Sequence, residues 1–390
     1  MSKTLLTADL AITCAGEPLA DPGVLFEDGA IRAVGRRGDF GVAPDAVTHH
    51  FPGATVLPGL IDAHVHLTFT PGETPLDTVR GDGIEAAAAR AASNARTLLH
   101  SGVTTARDLG DSGGTVMRLR DAIAGGRSEG PRLLSAGAPL TVPGGHCWFL
   151  GGEVEDVRAI RRHIARAAEA GVDLVKVMGS GGQTTPGGAS MYESQFTQAE
   201  LSVIVGEAHE RSLPVAVHAH NVDTIVASVT AGVDTVEHCT WLAGPGDYRP
   251  RETVATEMAK QGTAACPGSR LEYDGLASRA GEAQARKLIG RVRWLTEHGV
   301  QVIPGTDAGL SEFNETPVML GRLRQWGYSS LTIIEMATKQ AAAILGVAAG
   351  QLKAGKAADL LVVDGNPLED IDALTRVRQV VAGGRPAIPM

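Results

Sequence analysis

A glycine–valine joint recurs between helical and strand-like segments, and this repeat constrains the fold of the chain more than any other feature. It occurs at residues 102–103, 171–172, 232–233 and 299–300. Glycine after a helical pattern is typical of a helix end in the left-handed conformation, and a β-branched residue behind it favours a strand. The repeat therefore predicts helices that alternate with strands.

The strands predicted in this way number eight and are mostly apolar. They lie near residues 60–66, 103–107, 132–138, 173–178, 214–220, 234–239, 262–267 and 300–306. Apolar strands that alternate with helices are typical of parallel sheets covered by helices. We therefore predict an α/β fold, a (β/α)8 barrel with its helices outside. A doubly wound open sheet is the alternative.

Both ends of the chain have a pattern of strands and turns instead. Strand-like runs lie at residues 8–13, 23–31, 358–365 and 377–383, and Asp28-Gly29 is a hairpin signal. Strands from both ends would pair in a small, discontinuous β-sandwich domain. The predicted domain limits are residues 1–57 and 353–390 for this domain and 58–352 for the barrel.

The composition is that of an acidic globular chain. Of 390 residues, 43% are hydrophobic, and the formal net charge is −9. This balance argues against a nucleic-acid or membrane partner and leaves a small molecule as the expected ligand. We expect neither a leader peptide nor a membrane span, and assembly into a homo-oligomer is left open. The four cysteines are scattered without a disulfide pattern, so we expect a cytoplasmic protein.

The predicted strand ends carry polar residues that packing does not explain. They are His64, His66, Lys176, His218, His220, Glu237, His238 and Asp307. In a parallel barrel the carboxyl ends of all strands meet at one face, and residues two apart on a strand project to the same side. Neutral imidazole is a common metal ligand, whereas a lysine inside an apolar strand needs a partner or a modification. The pattern favours a metal site at the mouth of the barrel.

This order of residues on strands 1, 4, 5, 6 and 8 resembles the amidohydrolase superfamily. The resemblance covers nearly the whole chain and includes the closing segment 355–360. Within the superfamily, residues 143–146 and Lys176 resemble imidazolonepropionase-like and prolidase-like (Xaa-Pro dipeptidase-like) metal-dependent hydrolases. A barrel with a flanking β domain is typical of these proteins.

The resemblance implies a binuclear metal centre, with zinc as the expected metal, held by His64, His66, Lys176, His218, His238 and Asp307. The first two histidines would hold one ion and the last two the other. Lys176, as N6-carboxylysine, would bridge the ions. Asp307 would bind the first ion beside a metal-bridging hydroxide and serve as general base and then general acid. His146 would hydrogen-bond the carbonyl oxygen of the substrate.

Some neighbouring residues have alternative interpretations. His220 shares a face with His218 and could replace it as a ligand, but the family pattern favours His218 and leaves His220 as a substrate contact. Arg270, in the loop after strand 7, is the third predicted substrate contact, beside His146 and His220. Arg107 on strand 2 could bind a substrate carboxylate, but it is expected to pair with an aspartate at the mouth such as Asp108.

The predicted reaction is hydrolysis of a C–N bond, an amide or peptide bond in a dipeptide or an N-acyl amino acid. A cyclic amide, a lactam or a lactone is an alternative substrate. Deamination ranks lower, because deaminases of the family usually carry a glutamate where this chain has Asn221. Residues 110–114 also match the nucleophile elbow of serine hydrolases, with Ser112 as the nucleophile. A binding scaffold on a non-catalytic barrel is the third hypothesis.

Overall fold

Sixteen strands run through the part of the chain that the computed structural model describes, which is residues 3–41, 45–81, 83–268, 277–278 and 281–387. In chain order they are β1 (Lys3–Ala11), β2 (Leu19–Ala20), β3 (Pro22–Glu27), β4 (Ala30–Arg36), β5 (Ala46–Pro58), β6 (Leu60–Val65), β7 (Val103–Asp108), β8 (Arg132–Ser135), β9 (Val175–Met178), β10 (Val215–Asn221), β11 (Thr235–Gly244), β12 (Asp247–Tyr248), β13 (Ala264–Cys266), β14 (Leu360–Asp364), β15 (Val377–Ala382) and β16 (Arg385–Pro386).

Helices separate the strands of the central part of the chain. They are α1 (Pro75–Gly81), α2 (Ile84–His100), α3 (Thr115–Ala124), α4 (Val157–Ala170), α5 (Gln198–His209), α6 (Val222–Ala231), α7 (Glu252–Gln261), α8 (Glu282–Glu297), α9 (Thr316–Arg324), α10 (Ser330–Glu335) and α11 (Ala341–Ile344). A π-helical turn over Met336–Gln340 joins α10 to α11. No helix within the described residues has both the length and the apolar character needed to cross a membrane.

Strands from both chain ends form one mixed sheet. Its order is β16-β15-β14-β5-β1-β3-β4, and β2 pairs with β1. Strand β5 joins the two halves, because it pairs in parallel with β1 on one edge and antiparallel with β14 on the other. The two ends therefore meet in one β domain, as predicted. Hydrogen bonds connect its strands in one continuous sheet, with a shift of register between β1 and β5.

The strands of the central part lie in two sheets. One contains β6-β7-β8, and the other contains β9-β10-β11 with β13 paired to β11. These strands are parallel, and only the two-residue β12 is added antiparallel at the edge of β11 within the described residues. After β8, Leu140 N donates to the Lys176 carbonyl and Met178 N donates to the Leu140 carbonyl, each over 2.8 Å. These bonds link the first sheet to β9 in the same parallel sense. The carboxyl ends of the strands in both sheets therefore lie on one side.

The predicted eighth strand, near residues 300–306, is not a regular strand. Val302 makes a single parallel bridge to β13. Pro304 has no N–H group, so a continuous ladder of hydrogen bonds cannot pass through it. The segment still joins the second sheet to the first, because Asp307 N donates to the His64 carbonyl over 2.9 Å.

The glycines at the predicted helix–strand joints adopt the left-handed conformation. The φ angle is 98° at Gly102, 83° at Gly171, 83° at Gly232 and 80° at Gly299. A side chain is disfavoured at such angles, which explains why glycine stands at each joint. The joints turn the chain from a helix back towards the sheet, as the sequence predicts.

The main hydrophobic core lies between the parallel strands and the helices that cover them. Ile160 and Ile164 on α4 are at most 1% exposed, and Ile204 on α5 and Val217 on β10 are fully buried. Complete burial of one such side chain contributes about 1.5–3 kcal/mol. This packing holds the strand ends at fixed positions.

Gly59, between β5 and β6, tests how closely the β domain is joined to the parallel strands. A Cβ atom at Gly59 would lie 2.1 Å from Thr104 Oγ1. We expect Gly59→Ala to lower the free energy of unfolding by about 1–3 kcal/mol, the usual cost of overpacking, as measured by denaturant unfolding. The control is Gly206→Ala in α5, where nothing lies within 4 Å of an added Cβ. Equal stabilities of the two variants would contradict this account.

Candidate metal centre

The polar strand ends meet in one cavity of about 490 Å³. Eight of the predicted site residues line it: His64, His66, His146, Lys176, His218, His220, His238 and Asp307. The ninth, Arg270, lies outside the described residues. The carboxyl ends of parallel strands thus bring together side chains that are far apart in the sequence.

His64, His66 and Asp307 form the first group of potential metal ligands. Asp307 Oδ1 lies 3.3 Å from His64 Nε2 and 3.4 Å from His66 Nε2. One ligand atom from each residue lies within 4.8 Å of the other two. Two imidazole nitrogens and a carboxylate oxygen are ligands that zinc accepts.

His218, His220 and His238 form the second group, and their ligand atoms also lie within 4.8 Å of one another. The ring centroids of His218 and His238 are 4.6 Å apart, and those of His220 and His238 are 4.7 Å apart. The sequence assigns His220 to substrate binding. In the structure its imidazole lies as close to His238 as that of His218 does, so geometry alone allows either role.

Hydrogen bonds determine which ring nitrogen of each histidine is free. His66 Nδ1 and His238 Nδ1 lie 3.4 Å and 3.1 Å from backbone carbonyl oxygens. Because a carbonyl can only accept, Nδ1 carries the hydrogen and Nε2 keeps a lone pair for a metal. In His218 the order is reversed, since Nε2 donates to a carbonyl over 3.1 Å and Nδ1 stays free.

Burial favours the neutral form of four of these histidines. It lowers the pKa of His64, lowers those of His218 and His220 well below the usual value, and lowers that of His238 to about 3. A neutral imidazole is the form that binds a metal ion. The site is therefore prepared for ligation at neutral pH.

Lys176 lies on β9 beside both groups and is 2% exposed. Its Nζ atom has no hydrogen-bond partner among the described residues. Burial lowers the pKa of this ammonium group. An isolated buried charge costs several kcal/mol, so this site favours either the neutral amine or a lysine with a bound or covalent partner.

A buried ion pair that the sequence analysis missed holds His64 in place. Arg107 Nη2 donates to Glu237 Oε1 over 2.8 Å, and His64 Nδ1 donates to Glu237 Oε2 over 2.9 Å. Burial alone would raise the pKa of Glu237, but the guanidinium and the hydrogen bond from His64 hold it well below its usual range. The carboxylate thereby directs Nε2 of His64 into the cavity.

The expected pair between Arg107 and Asp108 is wrong. Neighbouring residues on a strand point in opposite directions. The Asp108 carboxylate accepts instead from Leu67 N over 2.7 Å and from Gly110 N over 3.0 Å. A signal for the true partner was present, because Glu237 is itself a charged residue within an apolar strand.

His146 lies next to the second group, with its ring centroid 4.7 Å from that of His218. Thr185 Oγ1 accepts from Cys147 N over 2.8 Å and lies 3.0 Å from His146 Nδ1. The hydroxyl hydrogen can be donated to Nδ1, and in that tautomer the imidazole hydrogen is on Nε2. Burial lowers the pKa of His146 to about 4. A Cβ atom on Gly182 would lie 2.4 Å from the ring, so glycine is required there.

Two of the potential metal ligands have a strained backbone. His238 has φ of 61° and Asp307 has φ of 58°, both in the left-handed region that side chains disfavour. The register of β10 and β11 shifts at this point. Such strain is typical of functional sites, where it aims a side chain that regular geometry would misplace.

The residues on which the serine-hydrolase and deaminase hypotheses depend lie away from the histidine groups. Ser112 does not line the cavity, and its hydroxyl makes no hydrogen bond within the part of the chain that the structure describes. Asn221, at the position where deaminases carry a glutamate, is the N-cap of α6, and its Oδ1 accepts from Thr224 N over 2.7 Å. Neither side chain is placed to act on a substrate beside the histidines.

The comparisons with known proteins agree on one family. Residues 55–387 match the model described as the amidohydrolase family. Ochratoxinase from Aspergillus niger is 27% identical over 420 residues, which cover 97% of this chain and 84% of that protein.

Two solved structures are similar over 99% of this chain and 99% of their own. A Xaa-Pro dipeptidase with bound methionine has a TM-score of 0.83 at 26% identity. A prolidase complexed with N-methylphosphonate-L-proline has a TM-score of 0.84 at 27% identity. The resemblance stated from the sequence is thereby confirmed. The chain belongs to the amidohydrolase family and is a hydrolase that acts on carbon–nitrogen bonds.

Proposed function

We propose that the chain is a binuclear metal-dependent enzyme that hydrolyses the amide bond of a dipeptide or an N-acyl amino acid. The observation that carries this proposal is the meeting of two histidine groups beside Lys176 in one cavity. The similar proteins named as a Xaa-Pro dipeptidase and a prolidase support a substrate of this class. Six apolar residues of the cavity suit an apolar side chain: Phe69, Met178, Met191, Leu242, Leu288 and Leu310.

The donor set fits two divalent ions. His64, His66 and Asp307 would hold the first ion, and His218 and His238 would hold the second. The free ring nitrogens of these histidines and the carboxylate of Asp307 are ligands typical of zinc, which is the metal we propose. His220, in the second group, would contact the substrate.

Lys176 would join the two ion sites as N6-carboxylysine. Its neutral amine would add to carbon dioxide, so that an N–C bond forms, one proton is released and a carbamate results. The modification would replace a costly buried cation by an anion whose oxygens balance two divalent charges. Support comes from the burial of Nζ and from its lack of a hydrogen-bond partner in the described part of the chain.

Two bound divalent ions would supply Lewis acidity towards a water molecule and towards the scissile carbonyl. The Asp307 carboxylate would accept a proton from the water and then pass it to the leaving nitrogen. One water is consumed, the C–N bond breaks, and the products are a carboxylic acid and an amine. The position of Asp307 Oδ1 near His64 and His66 supports this role.

His146 would stabilise the negative charge that develops on the carbonyl oxygen. In the tautomer in which Thr185 donates to Nδ1, Nε2–H would be a neutral donor, because burial lowers the pKa of the ring. A donor that is already oriented stabilises the transition state without reorganisation.

The proposed scaffold is the eight-stranded (β/α)8 barrel, with residues 300–308 in the place of the eighth strand. Hydrogen bonds between this segment and both β13 and β6 support this closure.

Replacing Lys176 tests the bridging ligand. We expect the purified enzyme to contain about two divalent ions per chain, measured by inductively coupled plasma mass spectrometry. Lys176→Ala should lose part of this metal. It should also lower kcat/KM in a screen of dipeptides and N-acyl amino acids by more than about 100-fold, beyond the effect typical of outer partners of metal ligands.

Ser112→Ala is the matched control for this experiment. It should keep both the metal content and the activity, because Ser112 does not line the cavity. A fully active Lys176→Ala, or an inactive Ser112→Ala with normal metal content, would favour the serine hydrolase.

His146→Asn tests the proposed hydrogen bond to the carbonyl oxygen. Loss of one such donor typically lowers kcat by about 100- to 1,000-fold, and KM should change little, because the bond strengthens in the transition state. Steady-state kinetics on the best substrate of the screen would measure this. His100→Asn, at the exposed end of α2, should behave as the wild type. A large rise in KM with unchanged kcat would contradict the assignment.

A further inference from the structure

Arg291, on α8, is a buried cation at the wall of the cavity. It is 3% exposed and lines the same cavity as the metal-ligand groups. Lys176 is the other lysine or arginine among the cavity residues that the structure describes, and the proposed carboxylation would remove its positive charge. Arg291 would then be the fixed positive charge of the substrate cavity.

The guanidinium of Arg291 is held by backbone carbonyls. Nε donates to the His238 carbonyl over 3.2 Å, Nη2 donates to the Pro267 carbonyl over 3.0 Å, and Nη1 donates to the Leu288 carbonyl. These bonds use three of the five N–H groups of an arginine. One N–H on each terminal nitrogen remains for a further acceptor.

A carboxylate partner for Arg291 is missing from the part of the chain that the structure describes. The other buried arginine of this region, Arg107, has the carboxylate of Glu237 at 2.8 Å. Backbone carbonyls solvate a guanidinium but do not neutralise it, and a buried unpaired charge is costly. Among the described residues, none fills for Arg291 the role that Glu237 fills for Arg107, which leaves a place for a counter-ion supplied by a ligand.

We propose that Arg291 binds the free carboxylate of the substrate, so that the enzyme selects amides whose amine part is an amino acid. This inference rests on the proposed function and specifies its substrate class. A carboxylate accepts two parallel hydrogen bonds from the remaining N–H groups of a guanidinium, a geometry that arginine favours. The apolar cavity wall, which includes Leu288 and Met191, excludes water and strengthens the pair.

The bond between Arg291 and the His238 carbonyl gives this residue a second effect. It connects the carboxylate site to the backbone of a proposed metal ligand. The competing explanation is that Arg291 has a purely structural role (the strut role), in which it holds β11 against the residues after β13. The two roles differ in their dependence on the charge of the substrate.

The test compares N-acetyl-L-leucine with its N-methylamide, which lacks the carboxylate. Acetate release by the metal-loaded enzyme would be measured for both. In the wild type, we expect kcat/KM to be about 10- to 100-fold higher for the carboxylate, as hydrogen bonds to a charged group imply. Arg291→Met should lower kcat/KM for N-acetyl-L-leucine by this factor more than it lowers kcat/KM for the N-methylamide, mainly through KM. An equal loss for both compounds would overturn the proposal in favour of the strut.

Arg286→Met is the matched control on the same helix. Its side chain is 70% exposed, so the variant removes a positive charge of α8 away from the cavity. It should keep the preference for the carboxylate. If Arg291→Met does not fold, the affinities of the two compounds for the wild-type enzyme would be measured by calorimetry instead. Equal affinities would overturn the proposal.

Binding also separates this inference from the proposed function. Metal ions can themselves attract a carboxylate, so Arg291→Lys is included, which keeps the charge but loses the paired donors. Tighter binding of N-acetyl-L-leucine that Arg291→Lys weakens, without turnover of any amide in the screen, would support Arg291 and refute the proposed reaction. Turnover of amides without any preference for the carboxylate would support the proposed reaction and refute the role of Arg291.

Discussion

The buried pair between Arg107 and Glu237 is the interaction on which the rest of the site depends. It connects β7 to β11, and through the second carboxylate oxygen it reaches His64 on β6. Removal of one partner would leave a charge in the interior without compensation, at a cost of about 3–5 kcal/mol. The three residues therefore act as a unit. Their arrangement orients an imidazole before any metal arrives, which reduces the cost of assembling the centre.

The same logic extends to the other histidines. Each proposed ligand has one ring nitrogen engaged by a carbonyl or a carboxylate, and the other nitrogen is available to the cavity. The backbone contributes as well, since His238 and Asp307 occupy the left-handed region. Packing of the surrounding core offsets this strain. The site is thus defined by its outer partners as much as by the residues that would touch a metal.

The features that could be predicted from the sequence are those defined by residues a few positions apart. The glycines between helices and strands and the paired histidines belong to this class, and the structure places them as expected. Glu237 stands out as a charged residue in an apolar strand, but its contact with Arg107 joins residues 130 positions apart, and no local pattern indicates that pairing. Arg291 was missed because its helix has an ordinary amphipathic pattern. Pro304 was a signal in the sequence against a regular eighth strand. The single sheet formed by the chain ends follows from strand pairing on both edges of β5.

The course of β5 has a consequence for the centre. This strand ends at Pro58 and, after Gly59 alone, continues as β6, which carries His64. Five residue pairs align β5 with β14, a strand from the far end of the chain. Because side chains alternate along a strand, a slip of one position in that alignment would favour turning His64 and His66 to the outer face. The alignment of strands in the terminal sheet therefore determines the direction in which the side chains of His64 and His66 point, although this sheet lies outside the cavity.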